Sequence, residues 1–467
     1  MSFPIEHHGE ASSNPIRSAL QETEPRAQRT FTPTQAVIDS SSSIFHWTPE
    51  GRRLFDLTSG VLVANLGHNS TSWMQRFSRH MGWDQRRQST PIRKSARSLN
   101  DYFPALPLTA YNAVTAVEIE ASKRLVDLLH GQTGGQRMEQ VLWAASGSEA
   151  IQKALWAAQA RAPKREMVVA TRHGFHGKKG LAGAVSGCET DHDRDPRVRF
   201  ISFPMKECED LSLRDSTFDA APFQRELDAL WRECGEKLGA LITEPYLGAA
   251  GSYHPPKAYL QLLQSFCRTH DLLFILDEVQ SNFGRCSSLF AFDSYELEPD
   301  LVVLGKSLGN GVPVAAVCGR ADVLGSLGYG EGSDTWSANP LCCAGVLATL
   351  EEFAETPLLS VRKEASAAIE AGLLRLKELP FVAHVRGERD GMVWGVEMRE
   401  HGGRSASDWA NAAVLACYRG EGHDGIHLLG PLANRVLRIA PPLVISPTEA
   451  AEAMDLMNRL LRGLLPA

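Results

Sequence analysis

Two short apolar runs end in residues that can do chemistry. Leu272-Leu273-Phe274-Ile275-Leu276 leads straight into Asp277-Glu278-Val279-Gln280, and Leu301-Val302-Val303-Leu304 leads into Gly305-Lys306-Ser307. Runs of this kind are strands buried on both faces. Sheets built from them hold ligands beyond the carboxyl ends of the strands. A lysine there is poorly explained as a solvated charge. Desolvation lowers the pKa of its amine and makes it a nucleophile for carbonyls. An aspartate opposite a pyridine nitrogen would hold that nitrogen protonated and make the ring an electron sink. Taken alone, an Asp/Lys pair at strand ends is more often a plain ion pair.

The lysine segment admits two further readings. Gly305-Lys306-Ser307 looks like the end of a phosphate-binding loop, but that loop needs a glycine where the chain has Asp300. Gly305-Lys306-Ser307-Leu308-Gly309 also fits G-x-S-x-G, the nucleophile elbow of α/β-hydrolases, with Ser307 as nucleophile. An elbow must run into a helix. Here Gly309-Asn310-Gly311-Val312-Pro313 follows, which is loop chemistry, and the hydrolase reading becomes a distant alternative. Further upstream, Ser146-Gly147-Ser148-Glu149-Ala150 reads as a capped helix start. Its free N–H groups and dipole suit a phosphate, although many helices begin this way.

The elements that must position these residues follow from periodicity. Apolar runs at Met167–Ala170, Ala240–Thr243, Leu272–Leu276, Leu301–Leu304 and Val314–Cys318 alternate with helical stretches such as Ser148–Arg161 and Pro256–His270. That alternation predicts a doubly wound, mostly parallel α/β sheet. Val114–Leu129 has helical spacing. A long helix is expected from about Ala344 to Leu379, then strands at Met392–Met398 and Val436–Ile439 and a last helix from Thr448. Residues 1–30, polar and rich in Ser and Pro, read as a flexible arm. Residues 31–104 are expected to begin a smaller α+β domain that 346–467 completes, around a large cofactor-binding domain over 105–345.

Composition excludes several classes. With 43% hydrophobic and 22% charged residues the chain is an ordinary globular protein, and a net charge of −7 gives no reason to expect nucleic acid as partner. A local basic stretch, Arg76 to Arg97, reads as a solvated helix and loop. The nine cysteines form no C-x-x-C pair, and His173 and His176 lack the companions of a metal site, so no metal is expected. No apolar run is long enough for a membrane span, and the first thirty residues lack the pattern of a signal peptide. A cytoplasmic enzyme is the expectation.

Taken in order, the motifs resemble a known family. Ser59-Gly60, Leu66-Gly67-His68, Ser146-Gly147-Ser148-Glu149-Ala150, Gly174-Phe175-His176-Gly177 and Thr243-Glu244-Pro245 come first. Leu276-Asp277-Glu278-Val279-Gln280, Phe283-Gly284-Arg285 and Gly305-Lys306 follow, then Thr335-Trp336-Ser337-Ala338-Asn339-Pro340 and Leu437-Arg438-Ile439-Ala440-Pro441-Pro442. Each is weak alone; the ordered set resembles class III aminotransferases, the ornithine and 4-aminobutyrate aminotransferase type. The resemblance covers the chain from about Phe55 onward.

That resemblance implies the aspartate-aminotransferase-like fold type I and pyridoxal 5'-phosphate as cofactor. It implies a ping-pong transfer of an amino group from an amino acid or amine to a keto acid, 2-oxoglutarate or pyruvate. A racemase or epimerase, a decarboxylase or an aminomutase of the same fold is the alternative. Lys306 would carry the cofactor as a Schiff base and move the proton. Asp277 would pair with the pyridine nitrogen. Val279 and Phe175, the latter where the family usually has Tyr, would cover the two ring faces, and Gln280 would approach the phenolic oxygen. Gly147 and Ser148 would hold the phosphate, helped by Thr335 from the other subunit of a homodimer, which could assemble further into a tetramer. Arg438 would grip a substrate carboxylate, with Glu244 as its resting partner. The chain departs from the family in a longer segment between His68 and Tyr111 and in Asn282, where a Gly is usual.

Overall fold

The computed structural model describes residues 5–84, 105–191 and 194–465. Of the basic stretch, Arg86, Arg87, Arg93, Lys94 and Arg97 lie outside the described residues. Arg76 and Arg79 are described. Both sit on the helix Thr71–Met81 and bind acidic groups of the helix Pro340–Glu355: Arg76 pairs with Glu352 at 3.0 Å and Glu355 at 2.7 Å.

The first three strands are short, β1 (Ser40–Ser42), β2 (Phe45–Trp47) and β3 (Arg53–Asp56), paired antiparallel in that order. The expected flexible arm is corrected over much of its length. Ser13–Thr23 is a helix, and Arg17 on it is buried and pairs with Glu10 at 2.5 Å. The same guanidinium donates to Tyr418 Oη, far away in sequence. Polarity in this stretch marks a buried ion-pair anchor rather than freedom.

The central sheet takes β4 (Gln140–Ala144), β5 (Met167–Thr171), β6 (Val198–Ile201), β7 (Leu238–Thr243), β8 (Leu273–Asp277), β9 (Leu301–Leu304) and β10 (Ala315–Gly319), in the spatial order β4-β10-β9-β8-β7-β5-β6. Pairs from β6 through β9 are parallel; β10 runs antiparallel to both β9 and β4. The sheet is therefore mostly parallel, as expected. Helices Gly147–Arg161, Ala221–Cys234 and Lys257–His270 connect its strands and bury their apolar sides against it. The strands are apolar on both faces because helices cover both.

The last four strands are β11 (Val382–Gly387), β12 (Trp394–Met398), β13 (Asp424–His427) and β14 (Val436–Ile439). β11, β12 and β14 form an antiparallel sheet, while β13 joins β3 in parallel register, so both ends of the chain share one sheet. The single long helix expected after Ala344 is two, Pro340–Glu355 and Leu358–Leu376. The break falls at Thr356-Pro357, where the proline lacks the N–H a continuing helix needs. Among the described residues no helix is long and apolar enough to cross a membrane.

Candidate active site

β8 and β9 are neighbours, so Asp277 at the end of one and Lys306 just beyond the other stand side by side. Lys306 has φ of 49°, a left-handed conformation that a non-glycine residue holds only when its surroundings impose it. Two neighbours help to impose it. Asn282 Nδ2 donates to Gly305 O at 3.1 Å and Glu278 O at 2.6 Å, tying the loop after β8 to the residue before the lysine. Ser307 Oγ donates to Leu62 O at 2.9 Å on the other side.

These residues open on a cavity of about 190 Å³, lined by Gly147, Ser148, Phe175, Asp277, Val279, Gln280 and Lys306 together with Ser146, His176 and Gly177. Seven residues singled out from sequence therefore meet in one place. Gly147 begins the helix Gly147–Arg161, capped by the Ser146 hydroxyl, which accepts from Glu149 N. A Cβ at Gly147 would come within 3.3 Å of a Val279 methyl, and one at Gly177 within 2.5 Å of Ser148 Oγ. The missing side chains leave the helix N-terminus open to an anion.

Burial sets the charges. It pushes the Lys306 amine below its usual range, against the pull of Asp277. Asp277 Oδ1 accepts from Val279 N at 3.0 Å, and Oδ2 lies 2.7 Å from His176 Nδ1. Burial alone would lower the His176 pKa, but the hydrogen bond and charge of Asp277 outweigh it and hold the imidazole above its ordinary value. Glu244, at the end of β7, is pushed up to about 7 by burial. Its carboxyl accepts from Phe175 N at 2.9 Å, Gly248 N at 3.2 Å and Gln280 Nε2 at 3.1 Å.

Two expectations are corrected. Glu244 is no resting partner of Arg438: its oxygens are taken by two N–H groups and Gln280, and Arg438 donates instead to Gly248 O at 2.7 Å. A hydrogen-bonded carboxyl near neutrality costs less to bury than one half of a salt bridge. Ser307 is no elbow nucleophile. Its hydroxyl is buried and turned to Leu62, outside the cavity, and a 3-10 turn over Lys306–Gly309 leads to β10 rather than to a long helix. Thr335 is exposed and lies outside the cavity. It sits in a turn held by Asp334, which accepts from Trp336 N and Ser337 N and pairs with buried Lys153 at 2.7 Å.

Sequence reasoning passed over His176 as a metal ligand without partners. The signal was its place one residue after Phe175, in a segment that β5 points toward β8.

The donor set suits pyridoxal phosphate. Gln280 Oε1, His176 Nε2 and Arg438 Nε are buried without a protein partner, the helix N-terminus can take a phosphate, and a desolvated amine faces a fixed carboxylate. Fold and site together define a pyridoxal-phosphate enzyme of fold type I. Comparison gives the family. The class III aminotransferase model matches residues 106–461. An ornithine aminotransferase of Emericella nidulans is 26% identical over 96% of this chain and 90% of its own length. A 5-aminovalerate aminotransferase of Pseudomonas putida is 30% identical over 84% and 86%. Among solved structures, the ornithine aminotransferase of Toxoplasma gondii superposes with a TM-score of 0.77 at 23% identity, covering 97% of this chain and 95% of that one.

The chain belongs to the class III aminotransferase family. It is an enzyme that transfers an amino group with pyridoxal phosphate as cofactor.

Proposed function

We propose that this enzyme takes an amino group from an amino acid or a terminal amine and delivers it to 2-oxoglutarate or pyruvate, in two half-reactions on one site. The observation that carries the reading is Lys306 and Asp277 lining one cavity beneath a helix N-terminus. When bound, pyridoxal phosphate supplies a conjugated ring that accepts the electron pair released at the substrate carbon.

The chain's own residues do the rest. The Lys306 amine, drawn toward neutrality by burial, would hold the cofactor covalently and move the proton at the substrate carbon. Asp277, oriented by Val279 N and His176, would pair with the ring nitrogen and hold it protonated. Gly147 and Ser148 take the phosphate. Val279 would lie against one ring face and Phe175, exposed in the free chain, against the other. Gln280, fixed by Glu244, has a free Oε1 that would be available to the phenolic oxygen's side of the cofactor. Arg438 takes the substrate carboxylate through a guanidinium whose Nε has no other partner.

The active form in this reading is a homodimer. Exposed Leu108, Tyr111, Val114, Ile119, Tyr329 and Trp336 provide the apolar surface that a subunit interface needs, and Thr335 beside Trp336 would reach the neighbouring site. Nine free cysteines, eight of them buried, suit the cytoplasm.

Borohydride reduction of the yellow enzyme followed by peptide mapping tests the reading. The label is expected on Lys306. Label on another lysine, or none, would refute the assignment. A screen of amine donors by the same spectrum then names the substrate.

A further inference from the structure

Outside the cavity, three imidazoles gather around one buried carboxylate. Asp56 ends β3 and is fully buried. Its Oδ1 is committed, accepting from Thr58 N at 2.8 Å and Thr58 Oγ1 at 2.7 Å. Its Oδ2 faces His68 Nε2 at 2.7 Å and His46 Nε2 at 3.5 Å. Oδ2 and the two ring nitrogens all lie within 4.8 Å of one another. The His427 ring is 5.4 Å from that of His46, and its Nδ1 is buried with no hydrogen-bond partner.

The fold builds this cluster. His46 is on β2, His427 lies opposite Asp56 in the β13–β3 register, and His68 is bridged to Ser43 by two backbone bonds. Ser41 Oγ sits 2.7 Å from His46 Nδ1, so Nε2 is the nitrogen left facing Asp56. An outer hydrogen bond that fixes which nitrogen points inward is how histidine ligands of metals are oriented. The ion-pair partners of Asp56 among the described residues are histidines alone. His427 Nδ1, buried and without a hydrogen-bond partner, is left free to ligate.

We infer that His46, Asp56 and His68, with His427 as fourth donor, form a structural site for a divalent first-row transition cation such as Zn²⁺. A set of three nitrogens and one carboxylate oxygen suits zinc or cobalt; Mg²⁺ and Ca²⁺ prefer oxygen throughout. The hydrogen bond between Asp56 and His68 would open by a small side-chain movement as the ion takes the proton's place.

The position gives the ion a task. Thr58, held by Asp56, accepts from Gly60 N and starts a run of four left-handed residues, Ser59, Gly60, Val61 and Leu62, with φ from 49° to 67°. A β-branched valine there needs external support. Ser59 Oγ donates to Ala440 O, and Leu62 O receives the Ser307 hydroxyl beside Lys306. The cation would thus pin a strained turn that abuts the lysine segment.

Chelator-treated, cofactor-loaded protein is titrated with Zn²⁺, Co²⁺ or Mg²⁺, and bound metal is counted by equilibrium dialysis. One Zn²⁺ per chain with a raised melting midpoint is expected, with no effect of Mg²⁺. Co²⁺ should show visible bands of nitrogen and oxygen ligands without thiolate character, which reads the donor set on the unsubstituted protein. His46→Gln should weaken binding by roughly tenfold or more and lose the thermal gain. Substoichiometric zinc, a thiolate spectrum, equal binding of Mg²⁺, or unchanged zinc affinity in His46→Gln would each overturn the site. None of these readouts depends on transaminase activity.

Discussion

His176 Nδ1 lies 2.7 Å from Asp277 Oδ2, inside the protein and closed to solvent. The imidazole is held above its ordinary pKa because the carboxylate outweighs the cost of burying its charge. Pairing with a buried histidine fixes the orientation of the Asp277 carboxyl. The carboxylate's second oxygen is fixed by Val279 N.

Asp277→Asn is therefore expected to bind cofactor but to lose turnover by several orders of magnitude, since an amide cannot hold a ring nitrogen protonated. His176→Gln should lose less, roughly tenfold or about 1.4 kcal/mol, and should shift the pH profile. Near-normal turnover in Asp277→Asn would remove the residue from its role; an unshifted profile in His176→Gln would leave the histidine a packing group.

The strand ends were legible because burial on both faces leaves an unbroken apolar run, and a charge at its end stands out. Asp277 and Lys306 follow from that; Phe175, Val279 and Gln280 were named only through the family resemblance, and Gly147 and Ser148 lie in a helix start of a kind many proteins share. The pairing of Glu244 was not legible. Its choice between Arg438 and Gln280 depends on the turn at Gly248, whose N–H and carbonyl bind the two side chains separately. The Asp56 cluster was hidden for another reason: its histidines come from three strands or loops distant in sequence, with no common spacing. The anchoring of Arg17 on Glu10 and Tyr418 was hidden in the same way.

Glu244 makes a prediction about pH. Burial raises its pKa from 4.5 to about 7. The folded state thus binds the proton more tightly than the unfolded chain. Its contribution to stability is full below about pH 4.5 and is lost as pH rises through 7. At about 1.36 kcal/mol per pKa unit, the loss is roughly 3 kcal/mol. Glu244→Gln, which cannot ionise, should melt progressively closer to or above wild type as pH rises across that window. Glu278, also raised to about 7 by burial, leaves a residual slope in the variant. Parallel melting curves for the two proteins across the window would rule out the shift.

Ser307→Ala should keep most of the transaminase activity and show no loss of esterase activity, because there is none to lose. The hydroxyl holds Leu62 O at 2.9 Å, and removing it should lower stability by about 1 kcal/mol. Labelling of Ser307 by a fluorophosphonate, with inactivation, would contradict the geometry.

Arg438 distinguishes a substrate clamp from a structural cation. It is buried in β14, opposite Gly395 of β12, and burial depresses even its guanidinium pKa. A buried arginine without a carboxylate is costly unless something compensates it. Here one N–H donates to Gly248 O, Nε has no partner, and Glu244 is engaged elsewhere. The unsatisfied donor is what a carboxylate-binding site needs before its substrate arrives. Arg438→Ala is expected to raise the keto-acid KM strongly, at a cost of roughly 2–5 kcal/mol in binding, while cofactor binding and the melting midpoint change little. Removing a buried charge that lacks a partner should not destabilise the fold. Each half-reaction, measured separately beside a melting curve, reads the difference. A variant that melts much lower with unchanged keto-acid KM would make Arg438 structural and move carboxylate recognition to another residue.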